Sequence, residues 1–510
     1  MIKKTIYMIS SILISSLNAH ALDIYDLIKP ANPLENSVPV IQDFYSPPKK
    51  INLTRNDIHN QYAISMNRFF QCNVKSAYED FLFLIENTAP TDYMYLQLSK
   101  KMAELGFFTL SDISMQNSID DGISHFVFAD VKKFYYPIVK MNKEDEIYLA
   151  EMFSSIVYND QSKEVVAELL KNTTLLEKYD YANYVTALGL FKSDNIIEAE
   201  KYINSAIAKN PENLNYKKLQ AEILTQTQKP QNVLKIIDKI KQENLLTVEF
   251  NQKVQSTEKY LLYKIQKNEF EKKKLLAQYY YLENDLNKAM RVLHTSFNTK
   301  KKHNKNIYAL LSKVYFDLND YKKAEENATK AYKMDRSNST SLIVLGDLAY
   351  KNNDFEKALK YYSNAVSSDY NNAQIKLAKT YQKLGNEEKA VNIYTKVIKT
   401  CPLSYEAYYE LALIDKSKEQ EYLKKALAIN PQYPEAWIDM GRLEIEKNNF
   451  EKATSYLSTA KYIDENNFRY YYYQGLVFKN LGLPADAKRC FRKSLKLNPN
   501  FLLAKKELDI

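Results

Sequence analysis

The chain has 510 residues and a net charge of +9, with 45% apolar and 26% charged side chains, 42 Tyr, one Trp, 8 Gly and 14 Pro. That apolar content excludes a disordered chain, and so few glycines exclude a hairpin-rich sandwich or an enzyme built on several phosphate loops. The basic excess is spread thinly over a long body and is no nucleic-acid footprint.

The N-terminus reads as a targeting segment. Met1–Lys4 is basic, Thr5–Leu17 is uncharged and mainly apolar, and Ala19-His20-Ala21 places small residues at −3 and −1 of a cleavage site. A signal peptide over 1–21 is expected, with Leu22 as the mature start. An uncleaved anchor is the alternative, although the run is shorter than the ~20 residues of a normal spanning helix. No Cys follows the site, so no lipoprotein signal is present, and no second long apolar run suggests a further span. Export to the periplasm, the cell surface or the outside of a bacterium follows as an expectation. Residues 22–57 carry Pro30, Pro33, Pro39, Pro47 and Pro48 without helical periodicity, which predicts an extended arm.

From residue 58 onward the chain reads as helical pairs. Residues 58–178 hold degenerate units: Ile64, Ser65, Ala77 and Phe81 fall at matching offsets in 58–91, as do Leu98, Ser99, Ser111, Met115 and Ser118 in 92–125. Phe126–Met141, aromatic and holding Pro137, is expected to be an irregular connection, and 144–178 another helical pair. Residues 180–269 hold a unit at 180–213, a weaker one at 214–247 and an extra helix over 248–269. Residues 270–510 carry the clearest periodicity, closed by a C-terminal cap.

The repeat length is 34 residues. Ala324, Ala358, Ala390, Ala453 and Ala487 occupy position 20 of their units, and Ala331, Ala365, Val397, Ala460 and Ser494 position 27. Trp437 and Gly441 are matched one unit later by Tyr471 and Gly475. In each unit a first helix carries a large residue at position 4 and a small one at position 8, where the second helix approaches; position 8 is expected to meet position 20. Leu318-Asn319-Asp320 and Leu384-Gly385-Asn386 read as turns, and Asn-Pro at 210–211, 430–431 and 498–499 ends second helices. The unit at 405–433 is short between its helices. One such unit cannot bury its own apolar face, so the units must stack.

This pattern resembles the tetratricopeptide-repeat (TPR) family, through Trp437, Met440, Gly441, Ala453, Leu457 and Ala460; Glu444 and Glu465 depart from the family preference. The resemblance implies an all-α, right-handed superhelical solenoid of antiparallel helix pairs, with first helices lining a concave groove. Read through it, the candidate groove residues are Lys313, Phe316, Tyr350, Lys351, Lys376, Lys379, Lys383, Arg442, Ile445, Arg469, Tyr472, Tyr473 and Lys479. The repeat-defining structural residues are Ala324, Ala358, Ala390, Trp437, Gly441, Ala453, Gly475 and Ala487. The family's carboxylate-clamp subset places Asn at position 9. Here that position holds Gln278, Lys313, Asp347, Lys379, Arg442 and Leu476, so the clamp does not carry over.

No catalytic motif emerges. His20, His59, His125, His294 and His303 fall in no HExxH spacing, and the glycines form no GxGxxG, P-loop or GxSxG. Cys72, Cys401 and Cys490 are too few for a disulfide framework, leaving one long-range bridge open. No metal, cofactor or enzymatic activity is therefore expected. The expected function is an exported scaffold for protein–protein interaction, taking an acidic peptide or a C-terminal carboxylate in a basic, aromatic groove. The alternative is an accessory protein that binds an anionic polysaccharide.

Overall fold

A computed structural model describes residues 55–87, 92–117, 124–227, 229–297, 305–365 and 370–509. The signal peptide expected over 1–21, and all but the last residues of the arm, lie outside the described residues. Among the described residues there are 28 helices and no strand. The chain divides into two compact units, one formed by 1–223 with 431–510, the other by 224–430.

The first unit starts with α1 (Arg55–Phe70), α2 (Val74–Asn87), α3 (Asp92–Glu104), α4 (Phe108–Gln116), α5 (Ser124–Tyr135) and α6 (Lys143–Tyr158). Then come α7 (Ser162–Leu169), α8 (Thr173–Lys178), α9 (Asp180–Lys192), α10 (Ile196–Lys209) and most of α11 (Leu214–Gln226). Its aromatic centre is Phe107, whose ring lies 5.5 Å from those of Phe69 and Tyr78 and 6.1 Å from that of Phe81. All four are buried, which suits the edge-to-face preference of such rings. The degenerate unit at 92–125 still meets through small residues: Ser99 and Ser111, both fully buried, share a 2.9 Å hydroxyl hydrogen bond.

Two expectations for this region are corrected. Residues 126–135 are not irregular but belong to α5; only the stretch after it is, because Pro137 disfavours helix in the residue before it. That stretch is tied down by polar contacts. Ile138 N–H donates to the buried Asp180 carboxylate at 3.1 and 3.2 Å, and the Asn210 and Asn213 amides donate to the Tyr136 carbonyl at 3.0 and 3.1 Å. Residues 144–178 form three helices rather than a pair. Asp160, at φ 54°, breaks the chain after α6, and the Asn172 side chain caps α8 by accepting from Leu175 N–H.

The second unit holds α12 (Pro230–Lys241), α13 (Val248–Ile265), α14 (Glu269–Leu282), α15 (Leu286–His294), α16 (Lys305–Asp317) and α17 (Tyr321–Met334). It continues through α18 (Ser339–Lys351), α19 (Phe355–Ala365), α20 (Tyr370–Lys383), α21 (Glu387–Thr400), α22 (Tyr405–Ile414) and α23 (Glu419–Ile429). The first unit resumes with α24 (Pro434–Glu446), α25 (Phe450–Ile463), α26 (Phe468–Asn480), α27 (Pro484–Leu497) and the short α28 (Leu502–Lys506). In the unit at 405–433 the first helix, α22, has only 10 residues.

One turn recurs between paired helices. Position 15 takes the left-handed conformation at Asp194, Asn284, Asn319, Asn353, Gly385, Asn448 and Gly482. Only Gly, Asn and Asp adopt it cheaply. The next residue caps the second helix: Asp285, Asp320, Asn386 and Asn449 each accept from the backbone N–H three residues on. In the turn after α16, Asp320 N–H also reaches back to the Tyr315 carbonyl at 2.9 Å, which closes the helix end.

Every repeat-defining residue is buried: Ala324, Ala358, Ala390, Trp437 and Ala453 at 0% exposure, Ala487 at 3%, with Gly441 and Gly475 buried too. Trp437 also donates its indole N–H to the Pro431 carbonyl at 2.7 Å. Position 8 makes the expected contact with position 20 at Gly441, and a closer one that the sequence reading did not assign to it. A Cβ on Gly441 would lie 2.8 Å from Leu457 Cγ, and one on Gly475 would lie 2.6 Å from Phe491 Cε1. Position 8 therefore lies chiefly under the large residue at position 24, and the Ala453 backbone at position 20 is the more distant neighbour, at 3.4 Å. The reason is steric: the missing Cβ makes room for the bulkiest group facing it.

Candidate partner-binding surfaces

The sequence-derived groove residues fall into both units, and each set is described within its own. In the second unit, α18, α20 and α22 are first helices whose side chains meet across their shared face. Asp347 of α18 accepts from Lys376 Nζ and from Tyr362 OH, each at 2.7 Å. Lys379 of α20 lies 3.2 Å from Glu406 and 3.4 Å from Glu410, both on α22. Burial alone would lower the Lys379 pKa, but the two carboxylates outweigh it and hold it above its ordinary value. Burial holds the Glu410 carboxyl above the usual range, with Lys379 opposing. Lys376 and Lys379 thus spend their charge on neighbouring helices.

The other residues of this set differ. Lys351 is exposed, its ammonium 4.4 Å from the Tyr321 ring centroid, and Lys383 is exposed at the end of α20. Tyr350 packs edge-on against Phe355 at 5.3 Å, and Phe316 against Tyr321 at 5.5 Å. Lys313 sits over the Tyr281 ring at 4.7 Å. The expected groove residues here include neither Glu406 nor Glu410. Their signal was available: they occupy positions 2 and 6 of the short unit, where the groove pattern applies as elsewhere.

In the first unit, Arg469 of α26 reaches back to Asp439 of α24 at 2.6 Å, and Arg442 contacts Asp439 at 3.4 Å and Glu446 at 2.6 Å. The Arg469 guanidinium lies 6.0 Å from the Tyr473 ring centroid, and Ile445, near the end of α24, is half-buried. Lys479 pairs with Glu507 of the cap at 2.7 Å. Tyr472 is only 8% exposed, because its ring packs against Phe491 and Phe501 at 5.9 and 5.2 Å. The cap thereby covers Tyr472, which offers little surface to a partner.

Among the described residues, no group of three or more His, Cys, Asp or Glu side chains is arranged to hold a metal ion, and no helix is long and apolar enough to cross a membrane. Cys72, Cys401 and Cys490 are free thiols, so the bridge left open by the sequence is not formed.

Four family models, each described as a tetratricopeptide repeat, match residues 310–373, 372–404, 420–474 and 468–501. The chain is 26% identical over 389 residues to the TPR repeat-containing protein MJ1428 of Methanocaldococcus jannaschii, covering 67% of each protein. It is 31% identical over 141 residues to the type IV pilus assembly protein PilF of Pseudomonas aeruginosa, covering 25% of this chain and 54% of the relative. Coverage of the first matched relatives ranges from 22% to 67% of their own length. Among solved structures, a tetratricopeptide repeat protein from Parabacteroides merdae aligns with a TM-score of 0.37 and 16% identity, covering 47% of this chain and 97% of that one. With their 34-residue spacing, their buried small residues at fixed positions and these matches, residues 310–404 and 420–501 of the chain are tetratricopeptide repeats.

Proposed function

We propose that this chain is a non-catalytic scaffold of the bacterial cell envelope that holds polypeptide partners against the first-helix faces of its repeats. The observation that carries the reading is the ordered face of α18, α20 and α22. Internal ion pairs fix Asp347, Lys376, Lys379, Glu406 and Glu410, while Lys351, over the half-buried Tyr321 ring, and Lys383 remain exposed. A pre-ordered face loses little side-chain freedom on binding, and its exposed lysines suit an acidic segment. Export rests on the basic, apolar and small-residue succession of 1–21. The partial similarity to a pilus assembly protein agrees with an envelope role.

The test is Lys351→Glu combined with Lys383→Glu. Lys379 is left in place, because reversing it would set a third carboxylate between Glu406 and Glu410. The double variant should fold normally and lose at least about tenfold in affinity for a fluorescent, glutamate-rich decapeptide, an effect weakened by salt. Unchanged affinity would remove the acidic partner. Cell fractionation tests export: the mature protein should begin at Leu22 outside the cytoplasm, and a full-length cytoplasmic form would refute it.

A further inference from the structure

A second surface in the 224–430 unit has a different chemistry. A cleft of about 640 Å³ is lined by Val248, Asn251, Gln252 and Gln255 of α13, by Tyr281 and Leu282 at the end of α14, by Asn284 and Leu286 beyond it, and by Asp317 and Leu403. That volume falls within the ~300–1,000 Å³ typical of ligand sites. Its lining holds four carboxamides, one carboxylate, one phenol and four aliphatic side chains, and no cation.

The polar groups are partly fixed and partly available. Gln252 Nε2 donates to the Leu282 carbonyl at 2.5 Å, and Asn251 Nδ2 to the Thr247 carbonyl at 2.6 Å. These bonds hold both amides in place and leave their side-chain oxygens as acceptors. Tyr281 OH donates to Asp317 Oδ2 at 2.6 Å. That bond and burial together push the tyrosine pKa up, burial being the larger cause. Asp317 is exposed and has no lysine, arginine or histidine within ion-pair distance among the described residues. The nearest cation on its own helix, Lys313, faces the Tyr281 ring instead. Gln255 and Asn284 are also exposed.

We propose that this cleft binds an extended segment of a partner polypeptide whose lysine or arginine side chain pairs with Asp317. Carboxamides offer both donors and acceptors, which matches the alternating N–H and C=O groups of a peptide main chain. The aliphatic walls of Val248, Leu282, Leu286 and Leu403 suit the apolar side chains between them. A single carboxylate with no lining cation disfavours acidic ligands and favours a cationic group, preferably one that makes charge-assisted hydrogen bonds. A neutral sugar would want an open aromatic face, whereas Lys313 already stands over one face of Tyr281. The cleft therefore selects the opposite charge from the lysine-bearing face of α18 and α20. It also draws on α13, which lies outside the 34-residue register. This inference rests on the polypeptide-scaffold reading and adds a place and a residue class to it.

The test uses the full chain and three fluorescent, degenerate octapeptide pools with a central Lys, Gln or Glu. Anisotropy should rank the Lys pool at least fivefold tighter than the Gln pool, with the Glu pool weakest at this site in the Lys351→Glu/Lys383→Glu background. Asp317→Asn keeps the acceptor for Tyr281 and should melt as the parent does, yet erase the preference for Lys. Gln255→Ala should weaken all pools alike. A Lys preference that survives Asp317→Asn overturns the cleft while leaving the scaffold reading intact. Binding of no pool, or of maltoheptaose alone as the saccharide probe, overturns the cleft; the scaffold reading falls only if the parent chain also fails to bind the glutamate-rich decapeptide.

Discussion

Glu146 shows how one buried side chain couples this fold to pH. It is 1% exposed, and its carboxylate accepts from Thr109 N–H at 3.1 Å and from the Thr109 hydroxyl at 2.8 Å. Burial raises its pKa from the ordinary 4.5 to about 7, against the Thr109 hydrogen bonds; Asp112 adds to the rise and Lys140 opposes it. The folded chain therefore holds a proton here that the unfolded chain has already released. Stability from this group is full below the unfolded value and is lost as pH rises toward about 7. Glu146→Gln removes the titration. The difference in melting temperature, parent minus variant, should therefore fall between about pH 5 and pH 8. A constant difference would show that Glu146 does not carry a proton in the folded state.

At the scale of the helical pair, the decisive contact is that of position 8 with position 24. Gly441→Ala places a methyl group 2.8 and 2.9 Å from Leu457 Cγ and Cδ2, and Leu457 is fully buried. Overpacking of this kind costs about 1–3 kcal/mol, partly offset by the ~1 kcal/mol that alanine gains over glycine within a helix. The net expectation is a loss of about 1 kcal/mol. Glu451→Lys, on the exposed face of α25, should stay within ~0.5 kcal/mol. Urea unfolding of both variants checks the ranking; equal stability would mean that α24 and α25 approach less closely at Gly441.

The helical pairs were legible because each constraint lives on a single residue type. A small side chain is needed at position 8, an alanine at position 20 and a left-handed turn residue at position 15. Asn319 and Gly385 announce the same turn by different chemistry, one by a tolerant polar side chain and one by having none. Helix boundaries between 126 and 178 were less legible. Aromatic and β-branched residues there serve helix and irregular chain alike, and the breaks rest on single residues: Pro137, Asp160 and the capping Asn142 and Asn172.

For the whole molecule, the groove was legible as positions but not as chemistry. Reading the groove positions along first helices gave a mixed face with a basic excess, Asp317, Asp347, Glu435, Asp439 and Glu446 standing among the lysines and arginines. Pairing across helices, as between Lys376 and Asp347 or Lys379 and Glu410, is a property of neighbours that one helix does not reveal. Tyr472 shows the same limit: its position faces outward in an ordinary repeat, but the terminal cap bearing Phe501 covers it. In the cleft, Tyr281 and Asp317 stand at positions 12 and 13 of their units and were legible as groove positions, whereas the α13 wall had no register from which to be read. The lysine-bearing face derives wholly from elements that stack by repeat rules, whereas the carboxamide cleft adds one wall, α13, that does not.

The central claim is that the first-helix faces hold polypeptide. It is tested most directly by placing a benzophenone amino acid at Lys351, on the exposed end of α18, or at Lys333, exposed on the second helix α17, and irradiating intact cells that express the full chain. Mass spectrometry should recover a defined polypeptide from the position-351 probe and not from the position-333 probe. Recovery of the same species from both positions, of carbohydrate adducts, or of nothing from position 351 would contradict it.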